Sequence, residues 1–148
     1  MKKLLLTTLG PMAVVGAVVI GVIWWDRGAP PGFRPPVEDV AVEDLTFEHR
    51  GVRVVGTAHY ELRIQQSQGE TTYTLYPLMD RGDTMGRTIH AMVRTTRTPD
   101  RLVSFEDVTI EGFARPPGRL VGRSVIEALL ARGYDFEEDF VLIEEFED

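Results

Sequence analysis

The chain has 148 residues, 16 basic against 23 acidic, a formal charge of −7, 43% apolar residues and no cysteine. That length supports one folded domain, and the missing Cys excludes a disulfide framework, thiolate zinc, a Cys nucleophile and an acylated-Cys anchor. The acidic balance argues against a nucleic-acid partner, whose phosphates require clustered Lys and Arg.

Residues 4–25, LLLTTLGPMAVVGAVVIGVIWW, carry no charged side chain. As a helix rising ~1.5 Å per residue they span about 33 Å, enough to cross a hydrocarbon core of ~30 Å. Leu, Ile and Val fill 11 of those positions. They favour insertion by about 3 to 7 kcal/mol, from which Gly, Thr and Pro11 subtract. The reading is a transmembrane helix with Lys2 and Lys3 as anchors at one interface and Trp24 and Trp25 at the other. The rival is a cleaved signal peptide, whose apolar core runs ~7–15 residues and ends at a small-x-small site. Val15-Gly16-Ala17 roughly fits that site, but eight uncharged residues follow it, so the helix is expected to stay.

Residues 1–3 then form a short cytoplasmic tail. Lys2 and Lys3 are nearly balanced by Arg27 and Arg34. The short tail therefore decides for a signal anchor in the cytoplasmic membrane, with the domain outside. Ala13, Ala17 and Gly21 recur every four residues, a spacing that lets a second membrane helix approach closely.

Residues 26–36 are a Pro/Gly-rich linker, with four prolines among the nine residues from Gly28 to Pro36. Such a stretch blocks helix and sheet and favours polyproline II, reaching at most about 28 Å.

Residues 37–148 read as a β-rich domain. A short strand is expected at Leu45 to Phe47. Val52, Val54, Ala58, Tyr60, Leu62 and Ile64 share one parity, and Arg53, Thr57, His59, Glu61, Arg63 and Gln65 share the other. That alternation predicts one long strand with a buried face and a wet face, with Gly56 allowing a bend or bulge midway. Ser67 to Glu70 is a hairpin turn, and Thr71 to Leu78 a strand that Pro77 pushes toward an edge or bulge. Asp80 to Arg87 is a polar loop. Thr88 to Thr95 follows as a strand with Ile89, Ala91 and Val93 inward. Another carries Val108, Ile110, Gly112 and Ala114 and stops at Pro116-Pro117-Gly118.

Arg119 to Arg132 has helical periodicity, its stripe being Val121, Val125, Ile126, Leu129 and Leu130, with Gly133 as C-cap. Phe140 to Ile143 is the last strand. The expected fold class is β-rich α+β: an N-terminal transmembrane helix, then a small curled antiparallel sheet or open barrel of five or six strands, with one helix before the last strand. The layout resembles an oligonucleotide-binding-type barrel as an architecture only. There the helix sits between the third and fourth strands, whereas here it follows the fourth.

Chemistry-bearing residues are sparse. His49, His59 and His90 lack ligand spacing such as HxxxH or HExxH. A cross-strand metal pair of His59 and His90 is conceivable, but isolated surface histidines explain them more simply. Ser67, Ser104 and Ser124 lie outside any GxSxG. Gly82 to Thr88 superficially matches a phosphate loop, but it is one residue short, has Arg for Lys and precedes a strand. Arg81-Gly82-Asp83 matches an adhesion tripeptide on three residues only. All 14 basic residues after the membrane segment are Arg, a bias that genome base composition explains without function.

Asp135, Glu137, Glu138, Asp139, Glu144 and Glu145 flank the last strand and form a negative patch that would steer a basic partner. No catalytic, cofactor or metal residues are assigned. The expected function is a non-enzymatic, single-pass interaction module, an accessory or assembly subunit of a membrane complex. The expected partners are the lipid bilayer and another membrane protein, met through the helix or the outer domain. The alternative is a membrane-tethered receptor for a small ligand or metal.

Overall fold

The structure, a computed structural model, describes residues 35–97 and 103–147. The membrane segment, with Lys2, Lys3, Ala13, Ala17, Gly21, Trp24 and Trp25, lies outside the described residues. Among the described residues seven strands form one sheet: β1 (Val37–Asp39), β2 (Gly51–His59), β3 (Ile64–Gln68), β4 (Thr71–Met79), β5 (Thr88–Thr95), β6 (Phe105–Arg115) and β7 (Asp135–Glu145). Among the described residues one α-helix, α1 (Arg123–Ala131), precedes β7.

The sheet closes on itself. Its order is β1-β2-β6-β7-β5-β4-β3, and β2 also pairs with β4 at Thr57↔Met79 and Ala58↔Leu78. Five strands (β2, β4, β5, β6 and β7) therefore make a closed barrel, while β1 extends β2 in parallel and β3 extends β4 antiparallel. β5 and β7 run parallel inside the barrel, so the sheet is mixed and closed, not purely antiparallel and open as expected. Three meandering strands, a fifth laid parallel beside the third and a fourth closing on the first follow the Greek-key connectivity of the oligonucleotide-binding-type barrel. The helix is displaced to the β6–β7 connection.

Two apolar layers result. Val52, Val54, Ala58, Tyr76, Leu78, Ala91, Val93, Ile110, Ala114, Val141 and Ile143 fill the barrel, with the Tyr60 and Tyr76 rings meeting edge-on at 4.9 Å. Outside it, Leu75, Met79, Ile89, Met92, Phe140 and Leu142 pack with Val125 and Leu129 of α1. Those two helix residues are fully buried, which stabilises the layer by about 4 kcal/mol at ~2 kcal/mol each. Strands β4, β5 and β7 are thus covered on both faces, and Thr74 to Met79 is buried without a break.

Several elements differ from expectation. The opening strand is Val37–Asp39, while Leu45 to Phe47 lies outside any strand. Leu45, 2% exposed, joins Val42 in the barrel core instead. The long alternating strand breaks at a 3₁₀ turn, Tyr60–Leu62, which moves Leu62 from the barrel interior to the outer layer. A register shift between Ile89 and Ala91 does the same to Ile89. Helix α1 starts at Arg123, because Gly122 is extended (φ −66, ψ 154) after a 3₁₀ turn at Gly118–Leu120, and Leu130 is 48% exposed.

Other local readings hold. Gly69 turns the β3–β4 hairpin at φ +64. Pro77 falls in the short stretch of β4 between its β3 partners, which end at Leu75, and its β2 partners, which begin at Leu78. A residue without an N–H is tolerated where one neighbour is missing.

Candidate functional site

A cleft of about 150 Å³ opens at one end of the barrel, between the 3₁₀ turn Val42–Asp44, the end of β4, the 80–87 loop and β7. Val42, Leu78 and Met79 give it apolar lining; Glu43, Asp80, Asp83 and Glu137 add carboxylates. His90 lies between its walls. A bulge beside it takes this residue out of the regular β5–β7 register, a common device for re-aiming a side chain. Its Nε2 faces the Leu45 carbonyl at 3.0 Å and its Nδ1 meets the Glu137 carboxylate in a short contact.

Behind the cleft the 80–87 loop is tied down by a buried polar network. Gly82 N–H donates to Thr57 Oγ1 at 2.7 Å, and Thr57 donates to Asp107. His59 Nε2 is 2.8 Å from the Asp83 carbonyl, and its Nδ1 is 2.9 Å from the Tyr134 hydroxyl. A carbonyl only accepts, so Nε2 donates to Asp83; in the neutral ring Nδ1 then accepts from the Tyr134 hydroxyl. Phe105 packs edge-on against the His59 ring at 4.8 Å.

Tyr134 arrives there through the end of α1. Tyr134 N–H bonds to Leu129 O and Gly133 N–H to Leu130 O, with Gly133 at φ +88, which is the Schellman arrangement. Burial pushes the Tyr134 hydroxyl up from the ordinary phenol range.

The sequence placed His59 on a wet face, yet it is fully buried. The 80–87 loop, Phe105 and Tyr134 cover it, and Tyr134 lies 75 residues away along the chain. Each nitrogen of His59 and His90 faces a group within the fold: the Asp83 carbonyl and Tyr134 for one ring, the Leu45 carbonyl and Glu137 for the other. Among the described residues no three His, Asp or Glu side chains are grouped to hold a metal ion. His49 closes its own turn, its Nδ1 accepting from Thr46 N–H at 3.2 Å.

The adhesion-like tripeptide is held by its own loop. Asp83 Oδ1 accepts from Met85 N–H at 3.0 Å and Gly86 N–H at 2.7 Å. The phosphate-loop-like segment runs directly into β5.

The six acids of the last strand are divided by the fold. Asp135, Glu138 and Asp139 are exposed, and Glu137 enters the cleft. Glu144 lies about 30 Å along the strand from Asp135 at ~3.3 Å per residue. It bridges two buried guanidiniums, accepting from Arg94 at 2.9 Å and Arg115 at 3.2 Å. Arg94 also stacks on Tyr73, 3.4 Å from the ring centre, and donates to Gln68. Glu145 accepts from Thr95 Oγ1 at 2.7 Å. Sequence reasoning missed this cluster, because an Arg within Ala91-Met92-Val93-Arg94-Thr95 reads as one more outward polar residue.

No family model, curated protein or solved structure matches this chain.

Proposed function

We propose that this protein is a single-pass, membrane-anchored interaction module that holds a small barrel outside the cytoplasmic membrane and serves as an accessory or assembly subunit of a membrane complex. The observation that carries this reading is the run of 22 uncharged residues, 4–25, set ahead of a folded β-barrel by a stiff proline spacer. The barrel lends support: its interior is filled by its own side chains, and the buried His59 is shielded from any substrate. Ala13, Ala17 and Gly21 supply a close-packing stripe for a partner helix. The exposed acids Asp135, Glu138 and Asp139 supply a field that attracts a basic partner.

The test is a detergent pull-down of the full-length chain beside Ala17→Leu. Partners that accompany the parent and are reduced in the variant, with the domain's melting temperature unchanged, support the reading. A chain recovered wholly from the soluble fraction refutes it. The cleft favours one second reading, a tethered receptor for a small cationic ligand. That reading expects ligand-dependent thermal stabilisation by mass action, and a flat melting temperature across metals and amines refutes it.

A further inference from the structure

His90 joins three separate parts of the chain. It stands at the β5 bulge and touches the Leu45 carbonyl beyond the 42–44 turn on one side and Glu137 of β7 on the other. A backbone carbonyl and an ionised carboxylate are both acceptors only, so both contacts together need an N–H on each ring nitrogen. A neutral imidazole has one. The charged groups facing His90 are Glu137 from β7, Glu43 from the 42–44 turn, and Asp80 and Asp83 from the loop after β4. All are acidic, and among the described residues no Lys or Arg lines the cleft.

We propose that His90 is a proton-dependent clamp: doubly protonated, it ties β7 to the 42–44 turn and closes the cleft; with one proton lost, it releases Glu137 and the cleft widens. Glu137 is the arm that lets go. Its side chain is 47% exposed and reaches water by rotation, whereas the Leu45 carbonyl is fixed in the backbone. The strand around Glu137 is also the weak part of β7. Pairing with β5 covers Asp135 and Phe136, lapses, and resumes only at Val141, and β6 pairs with β7 only from Leu142 onward. Residues 137–139 therefore depend on side-chain contacts more than on a ladder. The sign follows: the clamp is engaged at low pH, with a proton on both ring nitrogens, and is lost at higher pH, once one of them has left.

The experiment is hydrogen exchange on the full-length protein in detergent, read on a peptide covering 135–140 and corrected for intrinsic exchange, at about pH 5.5 and about pH 8. Protection is expected to fall by about tenfold at the higher pH, the size of one charge-assisted hydrogen bond. In Glu137→Gln the carboxamide N–H₂ donates to the neutral Nδ1, so protection is expected to be retained at both pH values. An unchanged parent, or an equal fall in parent and variant, overturns the proposal. Nitrogen-15 spectra of the His90 ring in the parent provide a check independent of the variant. A ring that remains singly protonated across this range overturns it too.

Discussion

Replacing Gly56 with alanine tests whether β2 and β4 close the barrel. A Cβ at this position would lie 2.5 Å from the Met79 carbonyl oxygen and 3.0 Å from Leu78 Cδ1 and Cγ. An ordinary C···O contact is about 3.3 Å, so β4 must retreat by about 0.8 Å. The obstructing oxygen belongs to the backbone, and no rotamer moves it aside. Retreat strains the two pairs that join β2 to β4, Thr57↔Met79 and Ala58↔Leu78.

Overpacking of this kind costs ~1–3 kcal/mol, whereas Gly→Ala in an unobstructed strand gains roughly 0.5–1 kcal/mol. The expected result is a net loss of about 1 kcal/mol, or roughly 4 °C in melting temperature for a domain of this size. Urea unfolding of the full-length protein, followed by circular dichroism, measures it. Gly69→Ala is the contrast: nothing lies within 4 Å of its Cβ, and only its φ of +64 opposes the change. It should cost about 1 kcal/mol, and the two effects should add. A neutral or stabilising Gly56→Ala would refute closure at this seam.

Tyr134→Phe leaves His59 Nδ1 buried without its donor and should cost about 1–2 kcal/mol in the same unfolding assay, with no change expected if the hydroxyl is idle. Glu144→Gln removes the charge between two buried guanidiniums and should cost about 3 kcal/mol or more, while Glu138→Gln on the exposed stretch of the same strand should stay within ~0.5 kcal/mol; equal effects would remove the distinction between the two acids. Burial, reinforced by Tyr60, Glu145 and Glu106, holds the Tyr76 hydroxyl far above the ordinary phenol range. The unfolded chain ionises it near pH ~10, so this stabilisation is complete below that pH and is lost as pH rises beyond it. Phenolate absorbance should therefore rise with unfolding, and Tyr76→Phe should move the alkaline midpoint upward; coincident midpoints would count against it.

The sequence by itself determined the elements whose causes are local. Thr88 to Thr95 forms a strand on those bounds, Gly69 turns the hairpin before β4, and Gly133 ends α1, because each depends on β-propensity or on a φ that glycine adopts readily. Alternation also identified most of the barrel interior, since Val52, Val54, Ala58, Ile110 and Ala114 face inward as their parity predicts. Tertiary structure decided what parity cannot encode. A second layer under α1 buries the outer faces of β4, β5 and β7, and one bulge at His90 moves Ile89 out of the interior. Closure of the barrel rests on Gly56 meeting residues more than twenty positions later. His59 and Arg94 read as wet because their neighbours in sequence leave one side open. Tyr134 and Glu144, 75 and 50 residues distant, cover that side and supply the hydrogen bonds that make burial affordable. Periodicity reports which face a residue takes within its own strand; whether that face meets water depends on what the rest of the chain lays across it.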